Sequence, residues 1–162
     1  MPDLTIDRPA IPTEYGVSKA TEHVDWAHVE ERLANDRIYW IATSGDGHPR
    51  VRPVDGLYVE GVIYVGGSPQ TRWVRDIGAN PHVSVHLDGV DDVVIIEGEA
   101  EILGSADERL ATLLAQASNA KFPEYGMTPE SYAGGGAIAV RPRKVVAWTD
   151  FTKNPTRFRF AG

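Results

Sequence analysis

The chain has 162 residues, of which 42% are hydrophobic and 24% charged, with no cysteine and a formal net charge of −7. This composition predicts one soluble globular domain. The lack of cysteine excludes disulfides, thiolate metal sites and a cysteine nucleophile. The acidic balance argues against nucleic-acid binding. No apolar run approaches the roughly 20 residues that span a bilayer, and the N-terminus is charged where a signal peptide is apolar, so we expect no membrane association and a cytoplasmic location.

The N-terminal 22 residues contain three prolines and little periodicity. They predict an extended or poorly ordered arm, followed by a single domain over residues 23–162. The domain opens with a predicted helix capped by Asp25, whose apolar face consists of Trp26, Val29 and Leu33.

Strands and turns dominate the next part of the chain. Segments rich in β-branched and aromatic residues, separated by turn sequences, predict a three-stranded meander over residues 37–43, 49–59 and 62–65. The stretch from Gly66 to Leu87 then combines a Gly-Gly turn, a Ser/Thr/Arg cluster, a helix over 70–79 and a strand over 82–87. A loop of this kind that opens a helix can hold an anion, because the first helical N–H groups lack internal partners.

The C-terminal half predicts a long strand over 93–103 with a bulge at Gly98, a helix over 105–120 and a loop-rich segment over 122–136. Two further strands, 137–140 and 144–148, are expected to meet at a corner formed by residues 141–143. The tail 156–160 alternates charged and aromatic residues.

Six or seven short strands interrupted by a few helices predict a mainly β protein, a small antiparallel barrel. A parallel sheet is disfavoured because helices and strands do not alternate regularly. An immunoglobulin-like sandwich is the alternative, although the helices near Gln70 and Ser105 fit it poorly.

Several kinds of site are not supported by the sequence. There is no G-x-S-x-G motif for a nucleophilic serine and no dinucleotide or Walker glycine pattern. His82 and His86 lie roughly 13 Å apart on the predicted strand, too far to share a metal ion, so we expect two outward-facing histidines and no metal site. The glutamates at 97, 99 and 101 are expected to line a solvated strand face.

Four arginines remain as candidates. Arg50 and Arg52 project from the same side of one strand, whereas Arg72 and Arg75 lie one helical turn apart. They could form surface ion pairs with the many carboxylates, or a basic cradle for a phosphorylated ligand. In the second case the hydroxyls of Ser68 and Thr71 would add donors. The rings of Trp73 and Trp148, with Trp40 and Tyr58, could flank an aromatic ring system of that ligand, although aromatic residues are more often core or interface anchors.

The order of these features resembles the pyridoxamine 5′-phosphate oxidase-like superfamily of split β-barrels, which includes flavin- and deazaflavin-dependent oxidoreductases. The segments that carry the resemblance run from about residue 25 to the end: WAHVEERLANDRIYWIATSGDGHPRVRPV (26–54), GGSPQTRWVRDIGANPHVSVHL (66–87), DDVVIIEGEAEIL (91–103), VRPRKVVAW (140–148) and TRFRF (156–160).

The resemblance implies a six-stranded Greek-key barrel, a homodimer, and FMN or the deazaflavin coenzyme F420 in a groove between the subunits. It places Arg52, Pro53 and Val54 on the strand beside the isoalloxazine ring of the cofactor. It also implies that Thr71 and Arg72 bind the cofactor phosphate. It further implies that Trp148, Arg157 and Phe158 close the site, supplied either by the same chain or by the partner subunit.

The sequence departs from the family pattern at two places. Trp73 occupies a position where many relatives carry a basic residue, and TRFRF does not reproduce the substrate motif of the true oxidase.

These inferences predict an oxidoreductase that transfers hydride between a flavin-type cofactor and a small organic substrate, without an assigned catalytic side chain and with a reaction other than vitamin B6 oxidation. A non-catalytic carrier or sensor that binds the cofactor in the same groove is the alternative, and a structural dimer with an empty groove is a third hypothesis.

Overall fold

The computed structural model describes residues 3–17 and 20–161. Eight strands and four helices follow one another along the chain. The strands are β1 (Leu4–Asp7), β2 (Ile38–Thr43), β3 (Arg50–Val59), β4 (Val62–Gly66), β5 (His82–Leu87), β6 (Val93–Ile102), β7 (Ala137–Trp148) and β8 (Thr156–Phe160). The helices are α1 (Trp26–Asn35), α2 (Arg72–Ala79), α3 (Glu108–Lys121) and α4 (Glu130–Ala133), with short 3₁₀ turns at Thr13–Tyr15 and Pro123–Tyr125.

Six strands form a closed antiparallel barrel. Their order is β7-β4-β3-β2-β5-β6, and the pairing of β6 with β7 closes the ring. Strands β8 and β1 lie outside the ring, with β8 on β7 and β1 on β8. The predicted six-stranded barrel with peripheral helices is therefore confirmed. Among the described residues, no helix combines the length and the apolar character needed to cross a membrane.

Strand β3 changes its partner halfway along. Residues 50–55 pair with β2, and residues 56–59 pair with β4. The second edge of residues 50–55 pairs with no strand in the described part of the chain. Along this half of β3, alternate backbone N–H and C=O groups therefore point away from the sheet without a ladder partner.

Apolar side chains fill the barrel and also cover part of its outside. The interior holds Tyr39, Ile41, Ile63, Ile96 and Phe158 among others, and the predicted apolar face of α1 packs against them. A second cluster lies on the outer face of the barrel beneath α3, where Leu57, Tyr64 and Ala139 meet Leu114 and Phe122. Helix α3 is thus bound to the second half of β3 and to β4.

The predicted corner at residues 141–143 is wrong, because β7 is one continuous strand. The pairing shifts register between Glu97 and Gly98, so that Gly98 lies opposite Pro142 and Glu97 opposite Lys144. The shift lies where the sequence predicts a bulge, but the extra residue is Arg143 of β7 and not a residue of β6. A proline without an N–H donor is tolerated at such a bulge. A Cβ at Gly98 would lie 2.5 Å from the carbonyl oxygen of Arg141.

One helix start and one additional strand differ most from the prediction. Helix α3 begins three residues late, at Glu108, since the Asp107 carboxylate accepts a hydrogen bond from the Leu110 amide at 2.8 Å and thereby caps the helix. Within the predicted arm, residues 4–7 form β1 and pair with β8.

A half-buried lysine lies at the point where β3 changes partner. The Nζ of Lys121 donates to the carbonyl oxygens of Leu33 (2.8 Å), Asp36 (2.9 Å) and Gly56 (2.7 Å). It thereby connects the end of α3 to the end of α1 and to β3. Burial lowers the pKa of Lys121 to about 8. Gly56 is closely packed, because a Cβ there would lie 2.1 Å from the ring of Tyr39.

We expect Lys121→Met to lower the free energy of unfolding by about 2–4 kcal/mol, because three backbone carbonyls lose their donor. Chemical denaturation followed by circular dichroism measures this change. The control is Lys144→Met, which removes an exposed ion pair with Glu97 and should cost less than about 1 kcal/mol. Equal losses in the two variants would contradict the assigned role of Lys121.

Candidate functional site

Two of the four candidate arginines are held by carboxylates. Asp76, only 2% exposed, accepts hydrogen bonds from Arg50 Nη1 at 2.9 Å and from Arg72 Nε at 3.1 Å. Asp46, in the turn between β2 and β3, accepts from Arg50 Nη1 at 3.0 Å and from Arg72 Nη2 at 2.5 Å. The hydroxyl of Thr43 lies 3.4 Å from Asp76.

This network changes the protonation of its acidic members. Burial raises the pKa of Asp76, but the hydrogen bonds from Arg50 and Arg72 outweigh that effect and leave the pKa below its usual value. The hydrogen bond from Arg50 likewise holds the pKa of Asp46 far below its usual range. Two guanidinium groups and two carboxylates thus balance each other. Of the two interpretations of the arginine cluster, ion pairs with carboxylates therefore hold for Arg50 and Arg72 in the ligand-free chain.

Arg52 and Arg75 form no ion pair within residues 3–17 and 20–161. The Nε of Arg52 is buried and has no hydrogen-bond partner. Arg52 lies opposite Ile41 of β2. Because it is two residues from Arg50 on an extended strand, both arginines project from the same face of β3, as the sequence predicts. Arg75 donates only to the carbonyl oxygen of Gln70, at 2.9 Å. These two residues supply positive charge without an internal counter-ion.

The loop before α2 presents hydrogen-bond donors. Thr71 occupies the N-cap position, but its hydroxyl donates to the carbonyl oxygen of Ser68 at 2.7 Å, and no side chain caps the helix. The hydroxyl of Ser68 accepts from the amide of Gln70 at 3.2 Å. The first-turn amides of α2 therefore lack side-chain partners, as an anion site at a helix N-terminus requires.

The positions of Trp73 and Phe158 do not support their predicted roles as cofactor contacts. Trp73 is 5% exposed and belongs to the barrel core, where its ring packs so close to Gly67 that a Cβ there would lie 2.6 Å away. Phe158 is fully buried and contacts Trp26 with ring centroids 5.1 Å apart. A tryptophan at position 73 therefore fills the core rather than replacing an exposed charge.

Trp148 and Arg157 lie far from the arginine cluster in the same chain. Ala137, at the start of β7, pairs with Gly66, whereas Trp148 lies eleven residues further along that strand, roughly 36 Å at full extension. Arg157 pairs with Val146 near the same far end and binds Asp7 at 2.7 and 2.9 Å. Both residues therefore lie at the end of β7 opposite to the end that pairs with Gly66, beside the loop before α2.

The unpaired edge of β3 contains Pro53 and Val54, the other two predicted residues of this strand. At one end of the edge, Arg50 joins the network beneath α2. At the other end, Asp55 lies beside Gly66, because Gly56 pairs with Val65. The loop 67–71 connects these two ends and so runs alongside the edge. We call the surface between this loop, the edge and the α2 N-terminus the groove; the six extended residues of the edge span about 20 Å.

A cavity of about 270 Å³ opens at the Asp55 end of this groove. We call it the α3 cavity, because it lies between the outer face of β3–β4 and the segment from α3 to β7. Its wall includes Tyr64, Phe122, Tyr125 and Tyr132. Sequence reasoning missed it, since residues 122–136 predict only a loop. The signal was present in the two tyrosines and the Gly134-Gly135-Gly136 run of residues 122–136, together with Tyr64 of β4.

His82 and His86 are exposed on β5, as the sequence predicts. In the described part of the chain, no three histidine or acidic side chains come together as metal ligands. The glutamates of β6 form exposed ion pairs with Lys144, Arg143 and Arg141 of β7, which agrees with the predicted solvated face.

The comparisons with known proteins agree with the fold. A family model described as pyridoxamine 5′-phosphate oxidase matches residues 26–149. No curated protein matches the chain.

Among solved structures, an FAD-binding protein from Mesorhizobium loti superposes with a TM-score of 0.60 at 19% identity, covering 85% of this chain and 96% of its own. A protein named F420 reductase gives 0.56 at 21% identity, with coverage of 72% and 94%. The heme storage protein HutZ from Vibrio cholerae gives 0.56 at 16%, with coverage of 72% and 88%. At these identities the likeness shows the barrel fold alone.

We expect acid to destabilise the fold partly through Asp76. A carboxyl group whose pKa is lower in the folded than in the unfolded chain stabilises the fold above the unfolded pKa, near 4, and loses that contribution as the pH falls. Asp76→Asn should therefore flatten the decrease in unfolding free energy below pH 4. Urea denaturation at a series of pH values measures the slope. Glu101→Gln, in an exposed ion pair with Arg141, is the control, and an unchanged slope in Asp76→Asn would contradict the prediction.

Proposed function

The chain belongs to the pyridoxamine 5′-phosphate oxidase family, and on that premise we propose that it is an oxidoreductase that transfers hydride between a bound flavin or deazaflavin and a small organic substrate. FMN and F420 are both candidates for the cofactor. The names of two structural neighbours, a FAD-binding protein and an F420 reductase, support this class of ligand.

The unpaired edge of β3 carries the proposal. Along residues 50–55 the backbone has a ladder on one side only, and its outward N–H and C=O groups can pair with the heteroatoms of a planar ring system. Edges of this kind otherwise invite pairing with another strand. A flat heterocycle placed here would use the backbone donors and acceptors without requiring any particular side chain.

The donor set at the other end of the groove fits the anionic part of such a cofactor. Arg52 has a buried Nε without a partner, Arg75 has no ion pair within the described residues, and the first turn of α2 is uncapped. Arg72 is half-exposed and binds Asp76 through Nε and Asp46 through Nη2, which leaves its Nη1 free of hydrogen bonds within the described residues and available to a ligand. Ser68 and Thr71 add hydroxyl groups. We propose that these residues hold the cofactor phosphate.

The protein's own contribution is binding, orientation and exclusion of water. A flavin or deazaflavin, when bound, supplies the hydride chemistry. The arginines and the α2 amides fix one end of the cofactor, and β3 fixes the plane of its ring. No side chain is assigned as an acid or base, since hydride transfer does not require one. A cytoplasmic location stays a prediction from the sequence.

We also propose a homodimer, because the outer face of the sheet beside the groove is apolar and uncovered. Val51 is 55% exposed and Pro53 lies on the same face of β3. Their cross-strand neighbours are Ala42 and Trp40 of β2, and Trp40 stacks on His86 with ring centroids 6.1 Å apart. We propose a second copy packed on this face as the source of the Trp148 and Arg157 that the family resemblance assigns to the site.

Fluorescence titration with FMN and with F420 tests the cofactor, and stopped-flow reduction of the bound cofactor tests the activity. Micromolar binding of one of them followed by turnover supports the proposal. Binding without turnover in the presence of any acceptor would favour the carrier or sensor instead. Micromolar binding of neither would contradict both.

We expect Arg72→Ala to weaken binding of the phosphate-bearing cofactor by about 1.5–3 kcal/mol, the contribution of charge-assisted hydrogen bonds. Titration calorimetry measures the difference. The matched control is Arg109→Ala, which removes an exposed arginine paired with Glu60 and should leave the affinity unchanged. If Arg72→Ala also has no effect, Arg72 serves only its ion pairs.

We expect Val51→Asp to convert the dimer into a monomer, because a buried unpaired carboxylate is costly at an interface. Size-exclusion chromatography with light scattering measures the mass. Val90→Asp is the control, since Val90 is 91% exposed in the turn between β5 and β6, away from the proposed interface. A Val51→Asp variant that keeps the wild-type mass, or a wild-type monomer, would refute this interface.

A further inference from the structure

We propose that the α3 cavity binds the substrate of this reaction and selects an uncharged or cationic aromatic molecule of one or two rings over a phosphorylated one. Calling this ligand a substrate rests on the proposed function. The size, the lining and the position of the cavity each contribute to it independently.

The cavity has the size and walls of an aromatic site. A dry apolar cavity of about 150 Å³ is sufficient for benzene, so about 270 Å³ accommodates one or two fused rings. Phe122 and Tyr125 form one wall, stacked with centroids 5.3 Å apart and 13° between their planes. Leu57, Val65 and Met127 complete the apolar surface.

The polar groups of the cavity discriminate by charge. Asp55 is its one charged residue, and no lysine, arginine or histidine lines it within the described chain. The carboxylate of Asp55 accepts a hydrogen bond from the Tyr125 hydroxyl at 2.7 Å, which fixes it at the rim and leaves its other oxygen available. A ligand with an N–H donor or a positive charge can bind that oxygen, whereas a phosphate would be repelled by it and would meet no cation among the lining residues, since Arg37 and Lys121 interact with Asp55 from outside the cavity wall.

The position of the cavity connects it to the cofactor groove. Asp55 lies at the end of the unpaired edge of β3, directly after Val54. Gly66 and Gly136 also line the cavity, and the amide of Gly67, the first residue of the groove loop, donates to the carbonyl oxygen of Gly136 at 3.2 Å. A molecule in the cavity therefore lies at the end of the groove opposite to the α2 N-terminus, next to the proposed place of the ring.

Gly66 allows the cavity to be filled without disturbing the fold. Side chains alternate along β4, so position 66 shares the outer face with Tyr64, which also lines the cavity. A Cβ at Gly66 would meet no heavy atom within 4 Å, and its φ is not positive. Gly66→Leu should thus occupy the space intended for the ligand.

The experiment compares three indole probes on the full chain without cofactor, by titration calorimetry. Indole is neutral, tryptamine is cationic and indole-3-acetate is anionic. We expect indole and tryptamine to bind and indole-3-acetate to bind at least about tenfold more weakly than tryptamine, an order of magnitude that one unfavourable charge contact explains. Asp55→Asn, which keeps an acceptor for Tyr125, should remove the advantage of tryptamine over indole.

Gly66→Leu should abolish binding of all three probes, with unchanged circular dichroism and thermal unfolding as evidence of its fold. Its control, Gln116→Leu, adds the same side chain to the exposed face of α3 and should bind like the wild type. Equal affinity for tryptamine and indole-3-acetate, or undiminished binding in a folded Gly66→Leu variant, would overturn the proposal.

Parallel titration with FMN and F420 separates this proposal from the proposed function. Binding of a cofactor together with failure of every indole probe overturns the α3 cavity alone. If tryptamine binds but neither FMN nor F420 does, the proposed oxidoreductase function is overturned, and the cavity remains a site for aromatic ligands.

Discussion

The exchange of partners along β3 is the constraint on which the other features depend. A strand that pairs with β2 for its first six residues and with β4 for its last four must leave one edge open in a barrel that is otherwise closed. The exchange occurs at Gly56, where the ring of Tyr39 leaves no room for a side chain. Lys121 holds the Gly56 carbonyl at the same point. The groove, the loop beside it and the α3 cavity are all arranged around this opening.

Much of the fold could be predicted from the sequence, because local chemistry decides it. The alternation in residues 82–87 and the Glu60-Gly61 turn with positive φ at both residues each specify their own structure. The continuity of β7 could not be predicted, since Pro142 normally ends a strand. It depends on a bulge opposite Gly98, forty-four residues earlier in the chain. Information of that kind lies in the pairing of distant segments and not in either segment alone.

The candidate site was predictable in position but only partly in detail. A loop rich in hydroxyl and guanidinium groups before a helix indicates an anion site from sequence alone, and the structure brings Arg50 and Arg72 together there. Which arginines have internal counter-ions depends on Asp46 and Asp76, whose side chains reach the site from a turn and from the second turn of α2. The core position of Trp73 likewise follows from the rotation of an eight-residue helix, which a motif cannot specify to within one residue.

The pairing of Arg50 and Arg72 with two aspartates has a consequence for how the loop responds to ions. An arginine that faces solvent carries loosely held salt ions, and a ligand releases them, so affinity falls steeply as salt increases. Here the counter-ions are part of the chain. An anion that accepts a hydrogen bond from the remaining Nη1 of Arg72 therefore displaces little dissolved chloride from this arginine. Its affinity would depend less on ionic strength than the number of arginines at the site suggests.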